Sequence, residues 1–143
     1  MEQIRTYKPN DFELEKASNS YLMSVIAITF GFLLPIINLI ATLIFFLGNL
    51  KASRFVRWHC TQALLSQIAI AIVNIVGVTW SLRIIYGNLE VTNYYFSYLI
   101  TIFTFNVFQF IITIYAAVVT RKGRHIEWWV FGPLTNVLFG ELG

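Results

Sequence analysis

The stretch KASRFVRWHCTQALLSQI, residues 51–68, joins a cluster of basic and aromatic residues to the start of a long apolar segment. The cluster, called the collar below, consists of Lys51, Arg54, Phe55, Arg57 and Trp58. After the collar, the next charged residue is Arg83. Cationic and aromatic side chains gather where a chain enters a bilayer from an anionic surface. The sequence therefore predicts a membrane entry point at the collar.

Composition indicates the same class of protein. Hydrophobic residues make up 57% of the 143 residues and charged residues only 12%, about half the usual charged share of a soluble domain. A water-soluble fold would leave large apolar patches exposed, so the lipid bilayer is the expected solvent. The net charge of +3 lies at loop positions, and no nucleic-acid partner is expected.

The uncharged runs of the sequence predict the membrane segments. A spanning helix needs about 20 apolar residues, so segments at about 60–82 and 92–120 are expected to span. The shorter stretch 126–142 is expected to lie in the interface, with Trp128 and Trp129 as anchors. A polar tail, residues 1–20, precedes a single helical membrane domain at 21–143. The tail mixes acids with bases and has no cleavage motif, so no signal peptide is expected.

The first apolar run, at about 21–50, has two interpretations. An unbroken helix over residues 17–50 would be roughly 50 Å long, against a hydrocarbon core of about 30 Å. Pro35 predicts a kink or a break near its middle. The run is therefore one kinked span, or two short helices that form a hairpin around Leu34–Asn38.

The distribution of basic residues favours the hairpin. The bases form three clusters: Arg5, Lys8 and Lys16; Lys51, Arg54 and Arg57; Arg121, Lys122 and Arg124. The positive-inside rule places such clusters in the cytoplasm. A hairpin satisfies the rule for all three clusters and leaves only the loop at 83–90 outside. We therefore expect a multi-pass protein of the cytoplasmic (inner) membrane: an all-α bundle with two long spanning helices.

Polar side chains form a stripe along one face of each spanning segment. The first stripe is His59, Gln62, Ser66 and Asn74, and the second is Asn106, Gln109, Thr113 and Thr120. Facing stripes supply interhelical hydrogen bonds, and packing is the favoured interpretation. The alternative is a hydrated path or substrate groove. Neither segment contains Asp, Glu, Lys or Arg, so a charge-driven transporter or a transmembrane proton relay is not expected.

Candidate chemical sites are few. His59 adjoins Cys60, but neighbouring helical residues point about 100° apart, so a histidine hydrogen-bonded to another helix is expected instead of a metal ligand. His125 and Glu127 resemble an acid–base pair but are interpreted as part of a solvated loop. The sequence has no phosphate-binding loop, nucleophile elbow or zinc-protease motif. No catalytic residue, metal or cofactor is expected, and the chain is predicted not to be an enzyme.

Two roles are open for the collar. Arg54 and Arg57 would contact lipid phosphates while Phe55 and Trp58 lie at headgroup depth. Alternatively, these four residues form a docking patch, because arginine and aromatic residues dominate protein-binding hot spots. The two roles are compatible.

Three pieces of the chain resemble the Tic-twenty superfamily, small helical proteins of the chloroplast import translocon and their bacterial relatives. The pieces are GFLLPIINLIATLIFFLG (31–48), the central signature and IEWWVFGPLT (126–135). The signature comprises Ser53, Arg54, Phe55, Val56, Arg57, His59, Gln62, Ala63, Leu64, Leu65 and Gln67. The resemblance implies four membrane helices with both termini on one side, and its plant members imply protein import.

The leading functional hypothesis is a non-enzymatic subunit or accessory factor of a membrane complex. The resemblance implies a role in protein translocation or assembly, with other membrane proteins or further copies of the chain as partners. The alternative is an oligomeric channel for ions or small solutes, lined by the two polar stripes. A third is a membrane-stress or lipid-organising protein.

Overall fold

The computed structural model describes residues 7–31, 35–87 and 89–141. These ranges contain no strand, and the predicted all-helical class is confirmed. Their helices are α1 (Asp11–Gly31), α2 (Pro35–Gly48), α3 (Arg54–Tyr86), α4 (Asn93–Arg121) and α5 (Phe131–Glu141).

Of the described helices, α3 and α4 are long and apolar enough to span a membrane. With 33 and 29 residues, they are about 50 Å and 44 Å long, more than the hydrocarbon core of about 30 Å. Only 11% and 17% of their most apolar windows are buried, unlike the core helices of a soluble protein. Ser53 caps α3 and Thr92 caps α4, each accepting a hydrogen bond from a first-turn N–H. Helix α3 thus starts at the collar, earlier than the predicted boundary at residue 60.

Helices α1 and α2 form a hairpin against α3 and α4. Leu14 and Ala17, near the start of α1, share a hydrophobic cluster with Phe45 and Phe46, near the end of α2. One continuous kinked span would separate these two pairs by roughly 40 Å at the helical rise. The hairpin interpretation is therefore the right one.

The position of the turn differs from the prediction at Leu34–Asn38. Helix α2 already begins at Pro35, where proline is tolerated because a first-turn N–H has no intrahelical acceptor. Leu34 itself lies outside the described residues. With 14 residues, α2 is only about 21 Å long, so it is shorter than the bilayer core.

The hydrophobic core lies at the end of the bundle that carries the basic clusters. One part groups Ala17, Phe55, Val56, Trp58, Cys60 and Phe139. The other groups Tyr21, Ala63, Ala116, Ala117 and Trp128. At the same end, the Ser18 hydroxyl donates to the Ala117 carbonyl at 2.9 Å, and Arg121 lies 3.3 Å from the Glu15 carboxylate. The starts of α1 and α3 therefore meet the end of α4, while the loop after Tyr86 lies at the far end.

A left-handed glycine ends α4 and turns the chain back over this core. Gly123 has φ +77°, a region that costs other residues about 1–2 kcal/mol. Its N–H donates to the Thr120 carbonyl at 3.0 Å, and the Arg124 N–H donates to the Val119 carbonyl at 3.3 Å. These two bonds form a Schellman motif. The segment that follows, residues 124–130, is called the linker below.

Helix α5 packs on the first turns of α3. The Trp58 indole N–H donates to the Asn136 side-chain oxygen at 2.8 Å, and the Arg57 guanidinium lies 5.5 Å from the ring centre of Phe139. The stretch predicted to be interfacial, 126–142, therefore starts with the linker, and its helix begins only at Phe131.

Candidate functional site

The first two turns of α3 direct one face into the protein. Phe55, Trp58, His59 and Gln62 recur at helical spacing, and all four are buried. The aromatic rings of the collar therefore pack inside the protein and do not face lipid. Lys51 and Arg54 are exposed, and Arg57 is half-buried, so the basic part of the collar is the part available for lipid or partner contacts.

The Gln62 amide holds the main chain of the linker. Its Oε1 accepts from the Trp128 N–H at 3.1 Å. Its Nε2 donates to the Ile126 carbonyl at 3.3 Å and to the Tyr21 hydroxyl oxygen at 2.9 Å. A main-chain N–H only donates and a carbonyl only accepts, so the two linker groups fix which end of the amide is oxygen. One buried side chain thus joins α1, α3 and the linker.

Two histidines continue this network to the side chains of the linker. His59 Nδ1 lies 2.7 Å from the Tyr21 hydroxyl, and His59 Nε2 lies 3.3 Å from His125 Nδ1. His125 Nε2 lies 3.2 Å from the Glu127 carboxylate. Tyr21, His59, Gln62, His125 and Glu127 are together called the linker clamp below.

The clamp corrects the expectation of a solvated loop at residues 125–127. The side chains of His125 and Glu127 are only 14% and 24% exposed. The His125 ring lies 4.4 Å from the Trp58 ring, centre to centre. The reason is the turn at Gly123, which brings the linker back onto α3. His59 does hydrogen-bond a neighbouring helix, through Tyr21 of α1.

The two tryptophans of the linker have opposite environments. Trp128 is buried and stacks on Tyr21, with ring centres 5.7 Å apart and planes 22° apart. Trp129 is 93% exposed. Trp128 is therefore part of the core. Of the two tryptophans, only Trp129 is placed to contact the membrane interface, and its role as an anchor stays a prediction.

Farther along α3, polar residues pair with α4 of the same chain. Asn74 and Asn106 exchange side-chain hydrogen bonds of 3.1 and 2.7 Å. Ser81 and Tyr95 join their hydroxyl groups at 2.8 Å. Between these pairs, a methyl group on Gly77 would overlap the end of the Ile102 side chain, which would have to move.

Within the described residues, several other polar side chains of the stripes, and Gln67 beside the first stripe, do not pair between α3 and α4. The buried Ser66 hydroxyl donates to the Ala63 carbonyl of its own helix. The buried Nε2 atoms of Gln67 and Gln109 and the hydroxyl oxygens of Thr113 and Thr120 have no hydrogen-bond partner within the part of the chain that the structure describes. The stripes therefore combine helix packing with polar atoms that have no partner among the residues that the structure describes.

The start of α1 carries a charged contact outside the membrane segments. The Asn10 side chain accepts from the Glu13 N–H, and the Glu13 carboxylate accepts from the Asn10 N–H, both at 2.9 Å, which forms a capping box. Burial alone would raise the pKa of Glu13, but hydrogen bonds from Ser53, Asn10 and Tyr7 together hold it below its ordinary value. The cap of α1 is thereby tied to that of α3.

The site contains donors and acceptors but shows no grouping typical of a metal centre. Across residues 7–31, 35–87 and 89–141, no three His, Cys, Asp or Glu side chains lie together in a way that could hold a metal ion. Cys60 is buried as a free thiol. The arrangement can hold protons at defined atoms and fasten the linker.

Comparison with known families decides the affiliation. Residues 17–136 match the family model described as the magnetosome magnetite crystal formation protein family, MamF/MmsF. The chain belongs to this family. The matched range includes every residue of the linker clamp. No curated protein and no solved structure matches the chain.

The resemblance to the Tic-twenty superfamily was wrong. All three pieces that carried it, 31–48, the signature within 53–67, and 126–135, lie inside the range that matches the MamF/MmsF family. A broken apolar hairpin, a basic collar and an aromatic tail are features that lipid imposes on many helical membrane proteins, so they do not distinguish one family from another. Protein translocation came with that resemblance and loses its support.

Proposed function

We propose that the chain is a non-enzymatic accessory subunit of a membrane assembly that forms magnetite crystals. The observation that carries the proposal is the family match over residues 17–136. The buried polar groups of the linker clamp bond one another and the main chain of the linker, which suits a structural role better than catalysis. Partners are other proteins of the assembly or further copies of the chain.

The basic end of the bundle is proposed to face the cytoplasm. There, Lys51 and Arg54 are exposed beside the start of α3, and Arg121, Lys122 and Arg124 are exposed at the end of α4 and just after it. Contacts of these bases with lipid phosphates are worth roughly 1 kcal/mol per charge near an anionic surface. Exposed Trp129 and the apolar side chains of Leu134 and Val137 would lie at the interface beside them.

An oligomeric channel remains the second candidate, favoured by one observation. The buried polar atoms of Gln67, Gln109 and Thr113 that have no partner in the described part of the chain would gain partners from water or from a second copy. Against it, the Asn74–Asn106 pair bonds within one chain, where pore-lining residues would face a lumen. Conductance of the purified protein in planar bilayers would support the channel.

The proposal is tested by genetic replacement in a magnetite-forming bacterium that lacks its own copy of the chain. The wild-type chain should restore the size and shape distribution of the crystals, measured by electron microscopy. Gln62→Leu should restore it only in part, since the linker loses its attachment, whereas Gln109→Leu should match wild type. Crystals unaffected by removal of the chain would refute the proposed function.

A further inference from the structure

Helix α1 runs beside α3 in the same direction but ends much earlier. The caps of the two helices are in contact, and Tyr21 bonds Gln62, 41 residues later in the sequence. The same separation places the end of α1, Gly31, beside Ile72. Helix α3 continues to Tyr86, which lies about 21 Å farther at the helical rise. The far part of α3 therefore extends well beyond α1.

Helix α2 returns over the same depth. Near its end, Phe45 and Phe46 pack against the cluster that contains Phe55 and Val56 at the start of α3. Its first residue, Pro35, lies about 15 Å deeper than Phe45 at the helical rise. Both arms of the hairpin therefore stop near the middle of α3.

The burial of side chains changes at the same depth. Ten of the eleven buried residues of α3 lie between Phe55 and Ala71, and the other is Gly77. The buried residues of α4 all lie in its last third, from Thr113 to Thr120. Beyond the hairpin, the described residues of α3 and α4 therefore form a single pair of helices, with mostly exposed apolar side chains.

The middle of the bilayer coincides with the inner ends of the hairpin. The uncharged run of α3 extends from residue 60 to residue 82, so its centre is residue 71. The hydrocarbon core is about 30 Å thick, and each half is about 15 Å. From Tyr21, which is level with the start of that run, α1 extends about 15 Å to Gly31. The hairpin thus fills the half of the bilayer at the basic end and leaves the far half to α3 and α4.

The protein is therefore wider in one half of the bilayer than in the other. A helix with its side chains is about 10–12 Å across, so α1 and α2 add roughly 160–230 Å² of cross-section to the half at the basic end. Helix α5 and the exposed Trp129 add bulk at the surface of the same end. The convex leaflet of a curved bilayer has more area than the concave leaflet. This shape consequently fits a membrane that is convex on the side of the basic end.

We propose that the chain is a curvature wedge, a membrane protein that concentrates in bilayers that are convex on the side of its basic end and stabilises their curvature. The partner is the lipid bilayer, recognised by its curvature and not by a headgroup. With the basic end toward the cytoplasm, which rests on the proposed function, the favoured membrane bounds a compartment that bulges into the cell. The shape itself does not depend on that orientation.

The test uses the full chain in giant vesicles of uncharged phosphatidylcholine, from which narrow tubes are pulled outward. A fluorophore that dithionite destroys is attached at Leu89→Cys in a Cys60→Ala background, because Cys60 is the only cysteine. Dithionite added outside leaves only the molecules whose far end is inside, so their basic end faces the convex surface. The ratio of protein to lipid-dye fluorescence in the tube, relative to the vesicle, should exceed one and rise as the tube narrows.

The opposite orientation supplies a control in the same membrane. With the fluorophore at Lys122→Cys, an exposed position just after α4, dithionite leaves only the molecules whose basic end faces inward. Their ratio should fall below one in the same tubes, because a wedge responds to the sign of the curvature. The same ratio in both orientations would overturn the proposal, whether lipid or a second copy fills the far half. The vesicles contain no magnetite, so this result does not bear on the proposed function.

Two alanine variants at exposed apolar positions separate shape from other effects. Ile40→Ala with Ile44→Ala narrows α2, so the ratio for molecules with the basic end outward should move toward one. Ile100→Ala with Phe103→Ala narrows α4 in the far half, so the same ratio should rise. Shifts of the two variants in the same direction would overturn the proposal. If the α2 variant does not fold, the α4 variant and the two orientations still decide.

Discussion

Replacing Gln62 with leucine tests whether the clamp stabilises the fold. The amide makes three hydrogen bonds, to Tyr21, Ile126 and Trp128, and leucine makes none while filling a similar volume. The Trp128 N–H and the Ile126 carbonyl would then lose their hydrogen bonds to the Gln62 amide. The substitution removes polar contacts and leaves the apolar packing of α3 largely in place.

The size of the effect follows from those three bonds. Interhelical hydrogen bonds in membrane proteins average about 0.6 kcal/mol, and those in soluble proteins about 1 kcal/mol. The three hydrogen bonds together therefore stabilise the fold by about 2–3 kcal/mol. The expected net loss is about 2 kcal/mol, because folding no longer has to remove water from a glutamine amide. For a chain of this size, that loss lowers Tm by roughly 4–8 °C. Membrane insertion should not fall, since leucine is the better membrane residue.

Thermal unfolding of the detergent-solubilised protein measures this change, and Gln109→Leu is the matched control. The Gln109 Nε2 is buried without a partner within the described residues, so its replacement should leave Tm unchanged or raise it. Equal losses in the two variants would mean that any buried glutamine is needed for packing. An unchanged Tm for Gln62→Leu would show that the clamp does not stabilise the fold.

The remaining predictions concern orientation, helix pairing, the end of α4 and the start of α1. A reporter active only outside the cytoplasm should give signal when fused at Leu89 and none at Gly123; the reverse result would invert the topology. Asn74→Leu and Asn106→Leu should each lower the free energy of unfolding by about 0.6–1.7 kcal/mol, and the double variant should lose less than the sum if the pair is coupled. Gly123→Ala should cost about 1–2 kcal/mol in chemical unfolding because of its positive φ, and Gly123→Asn should cost less. Because the pKa of Glu13 is lowered in the folded protein, its cap is fully formed above the ordinary carboxyl pKa and is lost as the pH falls through the pKa of the folded protein. Protection of the amide hydrogens at the start of α1 should therefore fall in that pH range in wild type, but not in Glu13→Gln.

The spans and the hairpin could be predicted because lipid restricts the sequence strongly. A spanning helix needs a long uncharged run, and the bases mark the ends of those runs. Both signals are local, so the segments at 60–82 and 92–120 fall on α3 and α4, although α3 extends beyond its predicted segment at both ends. The inward orientation of the collar's rings could also be predicted from the sequence, since Phe55 lies on the same helix face as His59 and Gln62.

The linker clamp could not be predicted in the same way. His59 and His125 are 66 residues apart, and no local pattern indicates that two such residues meet. A signal for the return of the chain does exist in Lys122–Gly123 after an apolar helix, because glycine at this position commonly closes a helix with a left-handed turn. That signal predicts a reversal of direction, but not the partner on which the linker lands.

The two ends of the bundle therefore differ in how their stability arises. At the basic end, α1, α3, the end of α4 and α5 share the core, and the clamp joins α1 and α3 to the linker. At the far end, α3 and α4 contact mainly each other, through pairs such as Ser81 and Tyr95, and otherwise expose apolar residues suited to lipid. Substitutions at the far end should act on insertion and helix pairing alone. Substitutions in the clamp should also change how the linker presents α5 and the exposed bases.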